Sequence, residues 1–298
     1  MNDYLLATLL GLIEGLTVFL AVSSTAHLRI AEAALGIDLG NGYWKMFSIV
    51  IQLGAILALP IYFRRRIAEF IHSFVHRDRS EPLWQHPLSL TTIAFLFTAG
   101  PAFLLTKVIG KHLENLTLMA SALIIGGVVM WVVDAICGPA RLMQTASVGA
   151  AQAGHRTESM EQMTLAQAIW IGACQTLSAV FPGTSRSMAT IAAGQLAGLS
   201  RAAALEFSFF LSIPTMLAAT GYDLLKTVHG GASTAAIGPS QIGAHGWMLL
   251  AIGALISFIV ALAVVAWFMN WVRTRGFAPF AVYRILLGAG VLFWLTRR

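Results

Sequence analysis

Two short segments of this chain concentrate side chains that can move protons and hold anions. The first reads Glu14-Gly15-Leu16-Thr17-Val18-Phe19-Leu20-Ala21-Val22-Ser23-Ser24-Thr25-Ala26-His27. A carboxylate in so apolar a stretch costs roughly 2.5–3.5 kcal/mol if the stretch enters a bilayer, so Glu14 needs a functional reason. Three hydroxyls followed by an imidazole put a nucleophile, hydrogen-bond donors and a proton carrier close together. The second segment, Pro182-Gly183-Thr184-Ser185-Arg186-Ser187, has the ingredients of an anion cradle. Pro182 and Gly183 break a helix, a new helix can start at the hydroxyls, and its free N–H groups then point at the tip. Arg186 adds a planar fork suited to two phosphate oxygens. Singly, each residue has an ordinary reading: a hydroxyl bonded to a carbonyl, a packed His27, an Arg186 paired with Glu14. Together they point to a site.

The elements that must position these residues are membrane helices. Of 298 residues, 57% are hydrophobic and 11% are charged, against about a quarter charged in a soluble domain. The apolar residues fall in runs at 46–63, 88–106, 117–137, 205–225, 247–270 and 279–296, near the roughly 20 residues that cross a bilayer as helix. The fold class expected is an all-α polytopic membrane protein with about six spanning helices. A net charge of +6 would suit a polyanion, but its placement argues otherwise. Arg64, Arg65, Arg66, Arg77, Arg79, Arg141, Arg156, Arg273 and Arg275 lie between the runs, while loops 107–116 and 226–246 are poorer in basic residues. Basic loops are cytoplasmic, which puts 64–87, 138–163 and 271–278 inside, and no nucleic-acid partner is expected. The start, Met1-Asn2-Asp3-Tyr4, has no basic n-region, so a removable signal peptide is not expected.

Several features read as structural. Cys137 and Cys174 lie in apolar stretches without partners at ligand spacing and are expected to be small buried residues. His72 and His76 are four apart on an expected helix but sit in a basic cytoplasmic connection, Trp84, Trp247 and Tyr283 read as interfacial anchors, and the loop 141–160 carries no assignable chemistry.

Two apolar segments, 4–38 and 165–200, are interrupted by the polar tips. The alternation of basic loops requires the second to enter and leave on the cytoplasmic side and the first on the outside. Both are expected to be re-entrant helical hairpins. They also match in sequence: Gly11 and Gly172 stand 161 positions apart, and that offset pairs Glu14 with Gln175, Thr17 with Ser178, Ser23 with Thr184, Ser24 with Ser185, Ile30 with Ile191 and Leu35 with Leu196. The organisation expected is one membrane domain, 1–298, in two inverted halves, 1–137 and 164–298, joined by a cytoplasmic linker, 138–163. Non-helical backbone at membrane depth needs shelter, so the two tips are expected to meet near the midplane in one site.

With these residues in view, the chain resembles the undecaprenyl-diphosphate phosphatases, also called bacitracin-resistance proteins. The resemblance runs through nearly the whole chain. It rests on Glu14-Gly15-Leu16-Thr17, Ser23-Ser24-Thr25 with His27, the stretch from Val50 to Ala58, the Pro182–Ser187 tip, Glu206-Phe207-Ser208-Phe209, and Pro279-Phe280-Ala281-Val282-Tyr283-Arg284. It implies a multi-pass protein of the bacterial inner membrane whose site opens to the periplasm and hydrolyses undecaprenyl diphosphate to the monophosphate, recycling the cell-wall lipid carrier. The family's functional residues fall on Glu14, Ser23, Ser24, Thr25, His27, Ser185 and Arg186. The roles expected are catalytic for Glu14, Ser24 (the nucleophile), His27 (acid or base) and Arg186, and substrate-binding for Ser23, Thr25, Gly183, Thr184, Ser185 and Ser187. Glu14 would orient His27 or hold Mg²⁺ or Ca²⁺, with no organic cofactor; membrane lipid and a second copy are the partners expected. The chain departs from the family pattern where Val18 replaces a second glutamate, and also at Ala21, Ala26 and Met188. If the residue lost at 18 were the base, activity would fall by roughly 10²–10⁴. The alternative is a polyprenyl-phosphate transporter or flippase, which needs the cradle but not the carboxylate pair.

Overall fold

The computed structural model describes residues 2–37, 42–76, 82–105, 115–137, 156–229 and 242–297. Arg77, Arg79, Arg141 and most of the loops 107–116, 138–163 and 226–246 lie outside them. Among the described residues the fold is all helix: α1 (Asp3–Thr17), α2 (Ser24–Ala34), α3 (Gly42–Ile56), α4 (Ala58–Tyr62), α5 (Arg64–Val75), α6 (Pro87–Leu104), α7 (Leu116–Cys137), α8 (Leu165–Val180), α9 (Arg186–Leu196), α10 (Arg201–His229), α11 (Ala244–Arg275) and α12 (Ala278–Thr296). Six stretches are long and apolar enough to cross a membrane: Gly42–Tyr62, Pro87–Leu104, Leu116–Cys137, Arg201–Leu225, Ala244–Val272 and Ala278–Thr296. These are the six apolar runs, with bounds shifted by up to four residues. The first is broken at Leu57, because Pro60 has no N–H and its ring collides with the carbonyl four residues back.

Residues 64–75, within the basic connection, form the helix expected at His72 and His76: the arginine run starts an amphipathic pattern that buries Phe70, while Arg66 reaches Glu206 at 2.9 Å and Glu161 at 2.7 Å. One expectation changes. Cys137 and Cys174 are free thiols of intermediate exposure rather than fully buried.

The segments 4–38 and 165–200 are helical hairpins, α1–α2 and α8–α9, whose arms pack on each other. α1 packs chiefly on α11 and α8 chiefly on α6. Gly11 and Gly172 allow these approaches, because a Cβ at either would run into the backbone of Gly253 or Ala94. The two hairpins also share backbone detail after the tips. Ser23 (φ 73°) precedes α2 and Ser185 (φ 70°) precedes α9. Each following helix ends at a glycine of positive φ, Gly36 at 71° and Gly198 at 88°, closed by Ile37 N–H to Glu32 O and Leu199 N–H to Gly194 O, both 2.9 Å. This geometry corrects the offset of 161 read from sequence. Beyond the tips it is 162, because the second hairpin is one residue longer between its packing glycine and its strained serine. Ser23 therefore matches Ser185, and Ser24 matches Arg186, each the first residue of its helix.

What joins the tips is Arg284, on α12 and 0% exposed. Its Nη1 donates to Ala21 O (2.9 Å) in the first tip. Its Nη2 donates to Gly183 O (3.0 Å) and Thr184 O (2.9 Å) in the second, while Nε and Nη2 reach Leu123 O (3.4 Å) and Ala122 O (3.3 Å) on α7. Gly126 on α7 leaves the guanidinium its space. Gly183 is required twice over: its φ is +100°, and a Cβ there would meet Met119 O at 2.5 Å. At the other end of α7, Asp134 accepts from Arg201 Nε at 2.7 Å and from Phe277 N–H at 3.0 Å, tying α10 and the turn before α12 to it.

Replacing Arg284 by Met orphans the carbonyls of Ala21, Gly183 and Thr184, each worth about 1–3 kcal/mol when buried and unpaired. Thermal unfolding of the detergent-solubilised protein should show a loss of about 3 kcal/mol or more for Arg284→Met. Arg284→Lys, which keeps the charge and loses the fork, should recover only part of it.

Candidate active site

Each tip ends in a serine held at positive φ, a region that costs a non-glycine residue of order 1–3 kcal/mol. The surroundings must hold both in place, and the Arg284 bonds to the carbonyls of Ala21, Gly183 and Thr184 do so. α2 and α9 begin directly after these serines, at Ser24 and Arg186. At α9 the Ser185 hydroxyl accepts from Met188 N–H at 3.4 Å. At α2 the Ser23 hydroxyl makes no capping bond, so the first-turn donors of α2 stay available for an anion.

Beside these helix starts lies the buried pair Glu14 and Arg186. Glu14 is 1% exposed, and neither of its carboxylate oxygens has a hydrogen-bond partner; Arg186 Nη1 is likewise buried and unpartnered. They feel each other's charge without closing an ion pair, so Arg186 is not simply a strut between the hairpins. Ser24 stands next to the Glu14 carboxyl but forms no well-aligned hydrogen bond with it. Gln175, the match of Glu14 in the second hairpin, is also buried with its Nε2 unpartnered. Buried polar groups are nearly always satisfied, and here a carboxylate, an amide and a guanidinium each keep an unpartnered atom.

The sequence-derived residues divide accordingly. Glu14, Ser23, Ser24, Ser185 and Ser187 are buried, and Arg186 comes to Glu14 from the other hairpin. Gly183 and Thr184 turn their carbonyls to Arg284, and Ser185 caps α9, so these three shape the tip. Thr25 is exposed and is not drawn into the buried group. Val18 is buried in an apolar cluster with Phe19, Ala21 and Val22, which leaves no polar partner at that position.

His27 is placed differently from the expectation that Glu14 orients it. Its Nδ1 lies 2.7 Å from Ser23 O and its Nε2 lies 2.8 Å from the Tyr283 hydroxyl. The carboxylate beside Ser24 is Glu14. Tyr283, read as an interfacial anchor, is instead a partner of His27. Sequence reasoning missed Arg284 and Glu32 as well. Glu32 is 1% exposed, accepts from Arg29 Nη1 at 2.9 Å and Ser48 Oγ at 2.8 Å, and adds a second negative charge within reach of Glu14. An acidic residue late in a helix of the first segment was the signal available for it.

One carboxylate with two open oxygens fits a divalent cation that completes its shell with phosphate oxygens and water; among the described residues no three His, Cys, Asp or Glu side chains converge on one point.

The family model described as "Bacitracin resistance protein BacA" matches residues 7–290. The chain is 64% identical over 300 residues to the undecaprenyl-diphosphatase of Koribacter versatilis (strain Ellin345), covering 100% of both chains. It is 38% identical over 292 residues to that of Caldanaerobacter subterraneus subsp. tengcongensis, covering 98% of this chain and 96% of the relative. To the undecaprenyl-diphosphatase of Thermus thermophilus it is 39% identical over 293 residues, covering 98% and 97%. These matches span the hairpins, the tips and α12 together, and on them this chain belongs to the bacitracin resistance protein family.

Proposed function

We propose that this chain hydrolyses undecaprenyl diphosphate to undecaprenyl phosphate and phosphate in the bacterial inner membrane, at a site open to the periplasmic side. The observation that carries the reading is the open, buried pair of Glu14 and Arg186 beside Ser24, with Ser24 and Arg186 each the first residue of its helix. The name shared by the relatives supplies the substrate. The matched hairpins, packed on α11 and α6 respectively, support an inverted repeat, with α1–α2 and α8–α9 re-entrant from opposite faces. The prenyl tail stays in the bilayer while the diphosphate reaches the tips.

The Arg186 fork and the N–H groups at the start of α9 hold the terminal phosphate and neutralise the charge that develops on it. Glu14 takes the proton of Ser24 as Oγ bonds to the terminal phosphorus. The anhydride P–O bond breaks and undecaprenyl phosphate leaves with its electron pair. Water then attacks the phosphoserine. Its proton passes toward His27, and Glu14 returns its own to Ser24 Oγ as that P–O bond breaks. Mg²⁺ or Ca²⁺ held by Glu14 and phosphate oxygens would neutralise further charge. On this reading Glu14 suffices as the carboxylate base and Val18 is tolerated.

Phosphate release from undecaprenyl diphosphate by the purified protein tests this directly. Ser24→Ala, Glu14→Gln and Arg186→Ala should each lower kcat by about 10²–10⁴. A parent that releases nothing, beside a Val18→Glu variant that does, would mean a scaffold without its base and would turn the reading to a polyprenyl-phosphate carrier. Chelation of divalent cations should lower release, and added Mg²⁺ or Ca²⁺ should restore it; release indifferent to chelation would remove the metal from the scheme.

A further inference from the structure

His27 has two nitrogens, and both are spent. The carbonyl of Ser23, 2.7 Å from Nδ1, can only accept, so Nδ1 carries the hydrogen. In the neutral ring Nε2 then offers its lone pair, and the only hydrogen available at 2.8 Å is that of the Tyr283 hydroxyl. The two rings are nearly parallel, with planes 11° apart and centroids at 5.6 Å. Tyr283 is 46% exposed, and its hydroxyl oxygen keeps acceptor capacity after donating to Nε2, whereas both ring nitrogens of His27 are engaged. It is also the neighbour in α12 of Arg284, whose bonds to both tips fix where this helix turn sits.

We infer that Tyr283 is the proton relay between His27 and the reacting groups. The inference rests on the hydrolase reading for the identity of the proton donor. In the water step the attacking oxygen bonds to phosphorus and gives its proton to Tyr283 Oη. The proton of Tyr283 passes to His27 Nε2, and Nδ1–H stays on Ser23 O. Tyrosine ends the step as the hydroxyl it was at the start. Imidazole becomes imidazolium, its new N–H donating to Tyr283 Oη, and the added proton leaves by the reverse path. A hydroxyl can serve as donor to one state of His27 and acceptor from the other without moving. A phenyl ring can do neither.

The test uses the full chain in detergent, with ¹⁵N-labelled histidine and undecaprenyl diphosphate as substrate. The His27 resonances are identified by their disappearance in His27→Gln. Tyr283→Phe should lower kcat by about tenfold to a hundredfold with KM within about twofold. It should also move the Nε2 resonance of His27 while Nδ1 stays put, which a general loosening of the fold would not do. An unchanged or raised kcat would show that Tyr283 merely caps the ring, and an unmoved Nε2 resonance would remove the hydrogen bond itself; either overturns the relay. No release from the parent sinks the hydrolase reading and the relay step with it, whereas release that persists unchanged in Tyr283→Phe sinks the relay alone.

Discussion

A single buried guanidinium sets the geometry of this protein. Taking a cation out of water costs several kcal/mol even after relaxation, and Arg284 recovers that cost from carbonyl oxygens rather than from a carboxylate. Its hydrogen bonds run to the first tip, the second tip and α7. Those tip carbonyls lie outside helices and would otherwise be orphaned in a dry interior. The arrangement satisfies the cation and the broken backbone at once, so neither is stable without the other. Gly126 and Gly183 follow from it, one making room for the fork and the other letting the second tip approach α7.

Because the tips are clamped from behind, strain can be kept at their front. Ser23 and Ser185 hold positive φ in both hairpins, and such conformations persist only where neighbours over-determine them. Their effect is to start α2 and α9 directly at the tips, where Glu14 and Arg186 are left open. A carboxylate and a guanidinium kept apart in a low-dielectric site are pre-organised for charge that arrives with a substrate. Had they paired directly, the same residues would be a structural link.

The division of labour also follows from placement. Glu14 sits beside Ser24, while His27 is tied through Ser23 to the strained turn and through Tyr283 to α12. The carboxylate and the imidazole thus have separate partners. Val18, where the family pattern has a second carboxylate, is sealed in the apolar cluster. Glu32, engaged by Arg29 and Ser48, brings a further negative charge toward Glu14 from another helix turn.

Much of this was legible in the chain itself. Six runs of apolar residues name the spanning helices because a bilayer imposes a length, and the polar interruptions at Ser23–Thr25 and Pro182–Ser187 mark the tips because broken backbone there must serve a sheltered site. Glu14, Ser24 and Arg186 stood out for the cost of burying them. The offset between the hairpins slipped by one because side-chain identity is blind to an extra residue absorbed in a turn, whereas φ at Ser23 and Ser185 is not. Local pattern also made Tyr283 an anchor and left Arg284 without a role. An aromatic and an arginine on the last helix have no distinguishing periodicity, and their partners, His27, Ala21, Gly183 and Thr184, lie 100 or more positions away. The sequence by itself determined which residues enter the membrane and which could do chemistry. Only the packing of α12 against both tips decided which carbonyls Arg284 neutralises and which nitrogen of His27 is left for Tyr283, because those depend on distances that no local spacing encodes.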